Sequence, residues 1–341
     1  MNKSITSIFK PMRSPISAIA AALFVGAGLI LLSGNNPLTA YTVLFTESVT
    51  NYYGIGNTLT KMAPLLLAGL GVQVALKAGQ FNIGAEGQIY LGGLGSTLVG
   101  LSFPGLPSWI HLPLALLAGF VFGALWGMIP GYLKAVRGVN EAIATLLMNY
   151  IALNFVGYLV ENPLIEPGAP TAYSPLLQKT SWLPIILPKT PAHAGILVGL
   201  IAAVIIFVLF ARSPWGYQIE AVGLNPIAAK YAGISVNRTI IAVMALSGGL
   251  AGLAGASEVL GLKHRLFDRF SPGYGFDAIA IAFLSRGNVV GVIVTSFFFA
   301  ALRSGANVMQ RSAGVPVTVV YAIQGLTILF IAISFAFERR S

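Results

Sequence analysis

The stretch GQFNIGAEGQIYLGG, Gly79 to Gly93, lies between two long apolar runs. It sets the carboxylate of Glu86 and the amides of Gln80, Asn82 and Gln88 among five glycines. What these polar groups mean depends on the solvent around them. Of the 341 residues, 56% are hydrophobic and only 9% are charged. A soluble domain carries about 25% charged residues, so this chain cannot cover a soluble surface. The composition predicts an all-α fold: one polytopic transmembrane helical bundle, residues 1–341 forming a single transmembrane domain.

The same composition removes several function classes. The net charge of +10 orients spans and meets anionic headgroups of membrane lipid. No basic run with interleaved aromatics points to nucleic acid. There is no cysteine, which excludes disulfides, thiolate metal sites and cysteine nucleophiles. His111, His193 and His264 show no metal-ligand spacing and read as loop or interface residues. No HExxH, no GxSxG and no carboxylate pair at helical spacing is present, so nothing marks an enzyme or a cofactor site. The chain also lacks GxxxxGK[ST], the loop that would cradle ATP phosphates.

About 20 apolar residues cross the hydrocarbon core. On that basis the spans fall near 16–33, 58–77, 82–103, 111–136, 140–160, 194–211, 239–260, 289–306 and 316–337. The piece 276–285 is too short for an easy crossing and reads as a half-helix or re-entrant segment. The total is about ten membrane segments. Lys3, Lys10 and Arg13 precede an apolar run that resembles a signal peptide, but no small-residue cleavage site follows, so the run reads as a retained helix. Short-loop Lys and Arg place residues 1–15 in the cytoplasm, because the 34–57 loop has neither. The parity closes if 276–285 crosses, and one loop dissents, with Lys263, Arg265 and Arg269 falling outside.

Two loops have character. Residues 161–193 hold seven prolines and read as an ordered external cap. Residues 213–238 form a cytoplasmic loop far longer than the roughly 2–8 residues that join adjacent helices. There Asn225 and Pro226 signal a helix start, and PIAAKYAGI reads as one short helix ending at Gly233. Glycines mark helix packing: Gly119, Gly123, Gly127 and Gly131 make one ridge, and Gly248, Gly252 and Gly255 nearly repeat it. Such spacing lets helices approach closely in lipid.

What remains is polar residues at membrane depth: Gln73, Asn82, Glu86, Asn149, Asn154, Glu258, Asp277, Arg303 and Gln324. A charge on a span centre costs a few kcal/mol, so such groups line cavities or pair. Asn82, Glu86, Asn149 and Glu258 are the candidates for a translocation path or a buried polar core, while Glu141 and Asp277 lie near helix ends. Amides suit an uncharged, hydrogen-bonding solute better than an ion.

Several stretches together resemble a known family. They are FNIGAEGQIYLGG (81–93), NEAIATLLMNYIALNFVGYL (140–159), AVGLNPIAAKYAGISVNR (221–238), SGGLAGLAGASEVLG (247–261) and SPGYGFDAIAIAFLSRGN (271–288). The chain resembles the membrane permeases of ABC importers for branched-chain amino acids, simple sugars and nucleosides, most of all the nucleoside and simple-sugar branch. The resemblance implies an ATPase-coupling helix on Glu220, Ala221, Gly223, Asn225, Ala228, Ala229, Gly233 and Ile234. It implies three partners: a separate ABC ATPase, a second, paralogous permease and an external substrate-binding protein, all at a bacterial inner membrane. The sequence departs from the family at Ser285-Arg286-Gly287-Asn288-Val289, where a proline is usual. A rival reading is an ion-coupled secondary transporter with broken helices, and a weaker one is a channel. The long 213–238 loop argues against both.

Overall fold

The computed structural model describes residues 13–338. Most of the 1–15 segment, including Lys3 and Lys10, lies outside the described residues, and so does the orientation argument built on it. The helices in chain order are α1 (Arg13–Leu32), α2 (Pro37–Val49), α3 (Tyr52–Lys77), α4 (Ala85–Leu101) and α5 (Ser108–Arg137). Then come α6 (Glu141–Glu161), α7 (Gly195–Arg212), α8 (Pro214–Leu224) and α9 (Pro226–Tyr231). The last four are α10 (Val236–Glu258), α11 (Tyr274–Leu284), α12 (Val289–Ala313) and α13 (Val317–Glu338). A π-helical turn, Val259–Lys263, extends α10. Among the described residues there is no strand, only two isolated bridges.

Among the described residues, six helices are long and apolar enough to cross a membrane: α3, α5, α6, α7, α10 with its π turn, and α12. The count of about ten is not reproduced as ten full spans, because α1, α11 and α13 supply shorter apolar stretches and α4 has 17 residues. The 34–57 segment is not a loop. Asn36 caps α2 by accepting from Leu38 N at 2.9 Å, and Asn51 caps α3 by accepting from Tyr53 N at 3.0 Å. A search for apolar runs misses α2, which buries only Ala40, Leu44 and Ser48.

The glycine ridges do bring helices together. Gly123 lies against Gly248 O, Gly252 against Gly119 O, Gly92 against the Gly252 backbone, and Gly255 against Ile89 O. At the lower end a Cβ on Gly131 would sit 2.7 Å from Met244 Cβ, and one on Gly127 would sit 3.0 Å from Gly248 Cα. Helices α4, α5 and α10 therefore touch backbone to backbone, which replaces the hydrophobic drive that lipid cannot supply.

Residues 161–193 form an ordered cap over one face. Its backbone bonds to the ends of two helical segments, Gln178 N to Gly100 O and Leu183 N to Leu260 O, and to the non-helical stretch beyond them, Ser174 N to Leu266 O, at 2.8–3.0 Å. Arg265 ion-pairs with Glu166 and lies over the Tyr173 ring. That pairing gives one of the three basic residues of the dissenting loop, Arg265, a local carboxylate. All three histidines serve this cap. His111 bonds Thr180 and Val99 O, and His264 stacks on Trp182 at 3.8 Å. His193 Nδ1 accepts from Gly195 N, the first residue of α7, at 3.1 Å.

Two outcomes are expected. Gly252→Leu drives a side chain into the α5 backbone, so it lowers the melting temperature of the purified protein sharply, whereas Gly28→Ala, with open space around it, does not. Burial, aided by His264, pushes the His193 pKa down to about 4. The unfolded ring, near pH 6.5, takes up its proton first, so cap stability falls as pH drops from there towards 4. Intrinsic-rate-corrected hydrogen exchange at 185–195 should rise over that window, and His193→Asn, which keeps an acceptor for Gly195, should flatten the rise.

Candidate functional site: a junction of half-helices and its cavity

After Lys77 the chain does not continue into a span. Gly79 takes φ 70°, residues 80–84 run without helix, and α4 starts inside the bundle. Freed backbone groups at membrane depth need protein partners, and the polar side chains supply them. Thr145 Oγ1 accepts from Ile83 N at 3.2 Å, and Asn149 Nδ2 donates to Ile83 O at 2.9 Å. Asn149 Oδ1 accepts from Gly87 N at 2.8 Å, and Asn82 Oδ1 accepts from Gly84 N at 3.0 Å. Asn82 Nδ2 donates to Gln88 Oε1 and to Ser247 Oγ, both at 2.8 Å, tying the break to α10.

A second break faces the first. From the cap, residues 266–273 descend without helix, and Phe270 packs on Tyr90 with ring centroids 4.8 Å apart. Gly273, at φ 92°, turns the chain into α11, whose first turn meets the start of α4. Glu86 Oε2 accepts from Gly275 N at 2.7 Å, and a Cβ on Gly275 would lie 2.5 Å from Glu86 Cα. Two helix N-termini thus converge, each with a carboxylate in its first turn, Glu86 on α4 and Asp277 on α11. Negative charge is favoured there by the helix dipole. Arg303 of α12 closes the group: Nε donates to Asp277 Oδ2 at 2.6 Å and Nη2 to Pro272 O at 3.1 Å. Its guanidinium also lies over the Tyr274 ring, 5.2 Å from the centroid.

Beside the junction opens a cavity of about 540 Å³. Rings of Tyr90, Tyr150, Tyr158 and Phe276 line it, with Asn154, Glu161, Asp268, Arg269 and Glu86 between them. Glu86 thus has two functions: it holds α11 and it edges the cavity. Asn82 and Asn149, buried and bonded to backbone, are not among the lining residues. Glu258 is buried at the end of α10 with one carboxylate oxygen unpartnered among the described residues, and it too is away from the cavity lining. Buried Gln73 has no partner for either amide atom, nor Gln324 for its amide nitrogen. Glu141 pairs with Lys134 at 2.8 Å beside the Asn140 cap of α6. Thr145, Ser247 and Gly275 carry no signal in the sequence, since their parts in the junction exist only through contacts 62 to 189 residues apart.

The 213–238 loop holds two helices rather than one. Ser213 caps α8, and Asn225 caps α9 by accepting from Ile227 N and Ala228 N at 3.0 Å. Gly233, at φ 83°, ends the pair. Ala229 is buried with Val222 and Ile240, so it seats α9 on α10. Ala221 and Ile234 pack on the same small core, while Ala228 is exposed. The outward residues are ones the sequence reading passed over: Leu224, Ile227 and Tyr231 are 87%, 70% and 91% exposed.

Residues 54–332 match the family model described as branched-chain amino acid transport system / permease component. The chain belongs to this family. It is 39% identical to the guanosine ABC transporter permease protein NupP of Bacillus subtilis, over 94% of this chain and 93% of that one. The glucose ABC transporter permease protein TsgB13 of Haloferax volcanii is 38% identical, over 96% and 88% respectively. The nucleoside ABC transporter permease protein NupB of Lactococcus lactis is 35% identical, over 95% and 91%. Family and helices together make this a multi-pass membrane protein.

Asp277 and Arg303 are both buried, so removing one partner strands the other charge. Asp277→Ala should cost about 3–5 kcal/mol, and the double change to Leu and Met should cost less than either single variant, read by thermal melting. Glu86→Gln keeps an acceptor for Gly275 and should melt near wild type, while Glu86→Leu should cost about 1–3 kcal/mol.

Proposed function

We propose that this chain is a membrane-spanning permease subunit of an ATP-driven importer of a small polar solute, a nucleoside or simple sugar. The carrying observation is the pair α8–α9, an ordered structure whose outward face is Leu224, Ile227 and Tyr231. A helix pair that exposes three large apolar side chains beyond the bundle suits a protein groove, here that of a separate ABC ATPase. Glu220, Ala221, Gly223, Asn225, Ala228, Ala229, Gly233 and Ile234 build and seat that pair. The chain then acts as one permease domain, with 213–238 and the N-terminus in the cytoplasm and the 161–193 cap outside, in a bacterial inner membrane.

The cavity at Glu86 is one wall of the path. Its rings offer flat faces, and its amide and carboxylates offer partners for hydroxyl and N–H groups, which fits a nucleoside. The relatives named for guanosine, nucleoside and glucose transport support the same solute range. The wall is open on the side of α6, where Tyr150 and Tyr158 are exposed, and a second, paralogous permease would close it. An external binding protein would deliver solute to the cap face. ATP acts by altering the relative stability of the two access states, because only differential interaction shifts such an equilibrium.

Replacing Ile227 and Tyr231 with Asp should strip the ATPase from the purified complex while the melting temperature of the permease stays unchanged. Undiminished ATPase co-purification would overturn the docking assignment.

A further inference from the structure

Lys77, the last residue of α3, gathers four elements on the α8–α9 face. Its Nζ lies 2.6 Å from Glu220 Oε1 on α8 and 5.3 Å from the centre of the Phe210 ring on α7. Its aliphatic stem passes the α11–α12 turn, where a Cβ on Gly287 would lie 3.1 Å from Lys77 Cε. The adjoining backbone is closer still. Gly223 of α8 sits directly against Lys77 O, and a Cβ there would be 3.0 Å from Ala78 C. Gly79 returns the contact, with a Cβ placed 3.3 Å from Gly223 O and 3.4 Å from Gly223 Cα. Two backbone segments touch with no side chain to yield between them.

This contact leads directly to the junction. From Gly79, residues 80–84 reach α4, and they are fixed at their upper end by Asn82, Thr145 and Asn149. One residue into α4, Glu86 holds the start of α11, and the far end of α11 returns to Lys77 through Gly287. Close-packed backbone has little room to deform, so it passes displacement on. The half-exposed ion pair adds little stability, but it fixes the register of α8 against α3.

We propose that the Gly79–Gly223 backbone contact, with Lys77 and Glu220 as positioning residues, is the strut through which α8 moves the α4–α11 junction. This rests on the reading of α8–α9 as the ATPase dock. A physical claim of coupling needs a coupled measurement rather than adjacency.

The test uses the full complex of this chain with a co-expressed paralogous permease and ABC ATPase, reconstituted with the binding protein and with guanosine or glucose as the solute. Four quantities are read: ATPase bound per permease, basal ATP hydrolysis, hydrolysis stimulated by loaded binding protein, and uptake. Lys77→Glu, on α3 and outside the dock, should keep bound ATPase and basal hydrolysis but lower stimulated hydrolysis and uptake about tenfold. Adding Glu220→Lys should restore both, and Gly223→Val should lower uptake without rescue. Wild-type stimulation in Lys77→Glu, or no rescue by the reversed pair, overturns the strut. If Gly223→Val does not assemble, the charge reversal alone decides. Absence of the ATPase from the wild-type complex would instead overturn the docking reading, and the strut with it.

Discussion

In hydrocarbon no backbone N–H or C=O can rely on water, so a chain that breaks its helices must satisfy the freed groups from within. Two breaks here, 80–84 and 266–273, make this requirement explicit. Thr145 and Asn149 reach across from α6 to Ile83 and Gly87, Asn82 folds back on Gly84, and Glu86 and Arg303 serve Gly275 and Pro272. Four of the nine polar residues that look anomalous in so apolar a chain, Asn82, Glu86, Asn149 and Arg303, complete backbone hydrogen bonds at these breaks. Their cost in lipid is offset because the alternative is bare peptide.

Such bonds hold only if the surrounding helices exclude lipid. The glycines do this. Gly92, Gly119, Gly123, Gly248, Gly252 and Gly255 bring α4, α5 and α10 into backbone contact, and the junction sits beside that contact. The cap performs a related task at the opposite end, with His111, His193 and Trp182 covering helix ends on a face that prolines keep from becoming helix. Rigid packing around a broken centre leaves the two half-helix starts as the place where the bundle can change shape.

How much of this was legible varied with the range of the interaction. Charge deficit and apolar runs sufficed for an all-helical membrane fold, and the four-residue glycine spacing located the α5–α10 contact. The stretch 79–93 showed that α4 starts abnormally, because its polar residues are contiguous. Its partners were not legible, since Ser247 and Gly275 are unremarkable alone and matter only across more than 160 residues. Asn82 and Asn149, candidates for the path or for a buried polar core, are buried and bonded to backbone. Ala229, set on the coupling helix by the resemblance, is buried, because a short helix must first be seated before it can present Ile227 and Tyr231. α2 was missed since one narrow buried stripe leaves no apolar run.

Under the proposed function, the cavity beside the junction is the part that moves when ATP is used. The absence of cysteine lets this chain carry two introduced labels with no background of its own. Spin labels at Tyr150→Cys on α6 and Phe276→Cys on α11, both lining the cavity, report the separation of those helices by electron–electron distance measurement. In the reconstituted complex the distance distribution should shift between the nucleotide-free and ATP-trapped states, and only with the ATPase bound. An unchanged distribution, or a shift produced by sodium ions or a proton gradient without the ATPase, would contradict it.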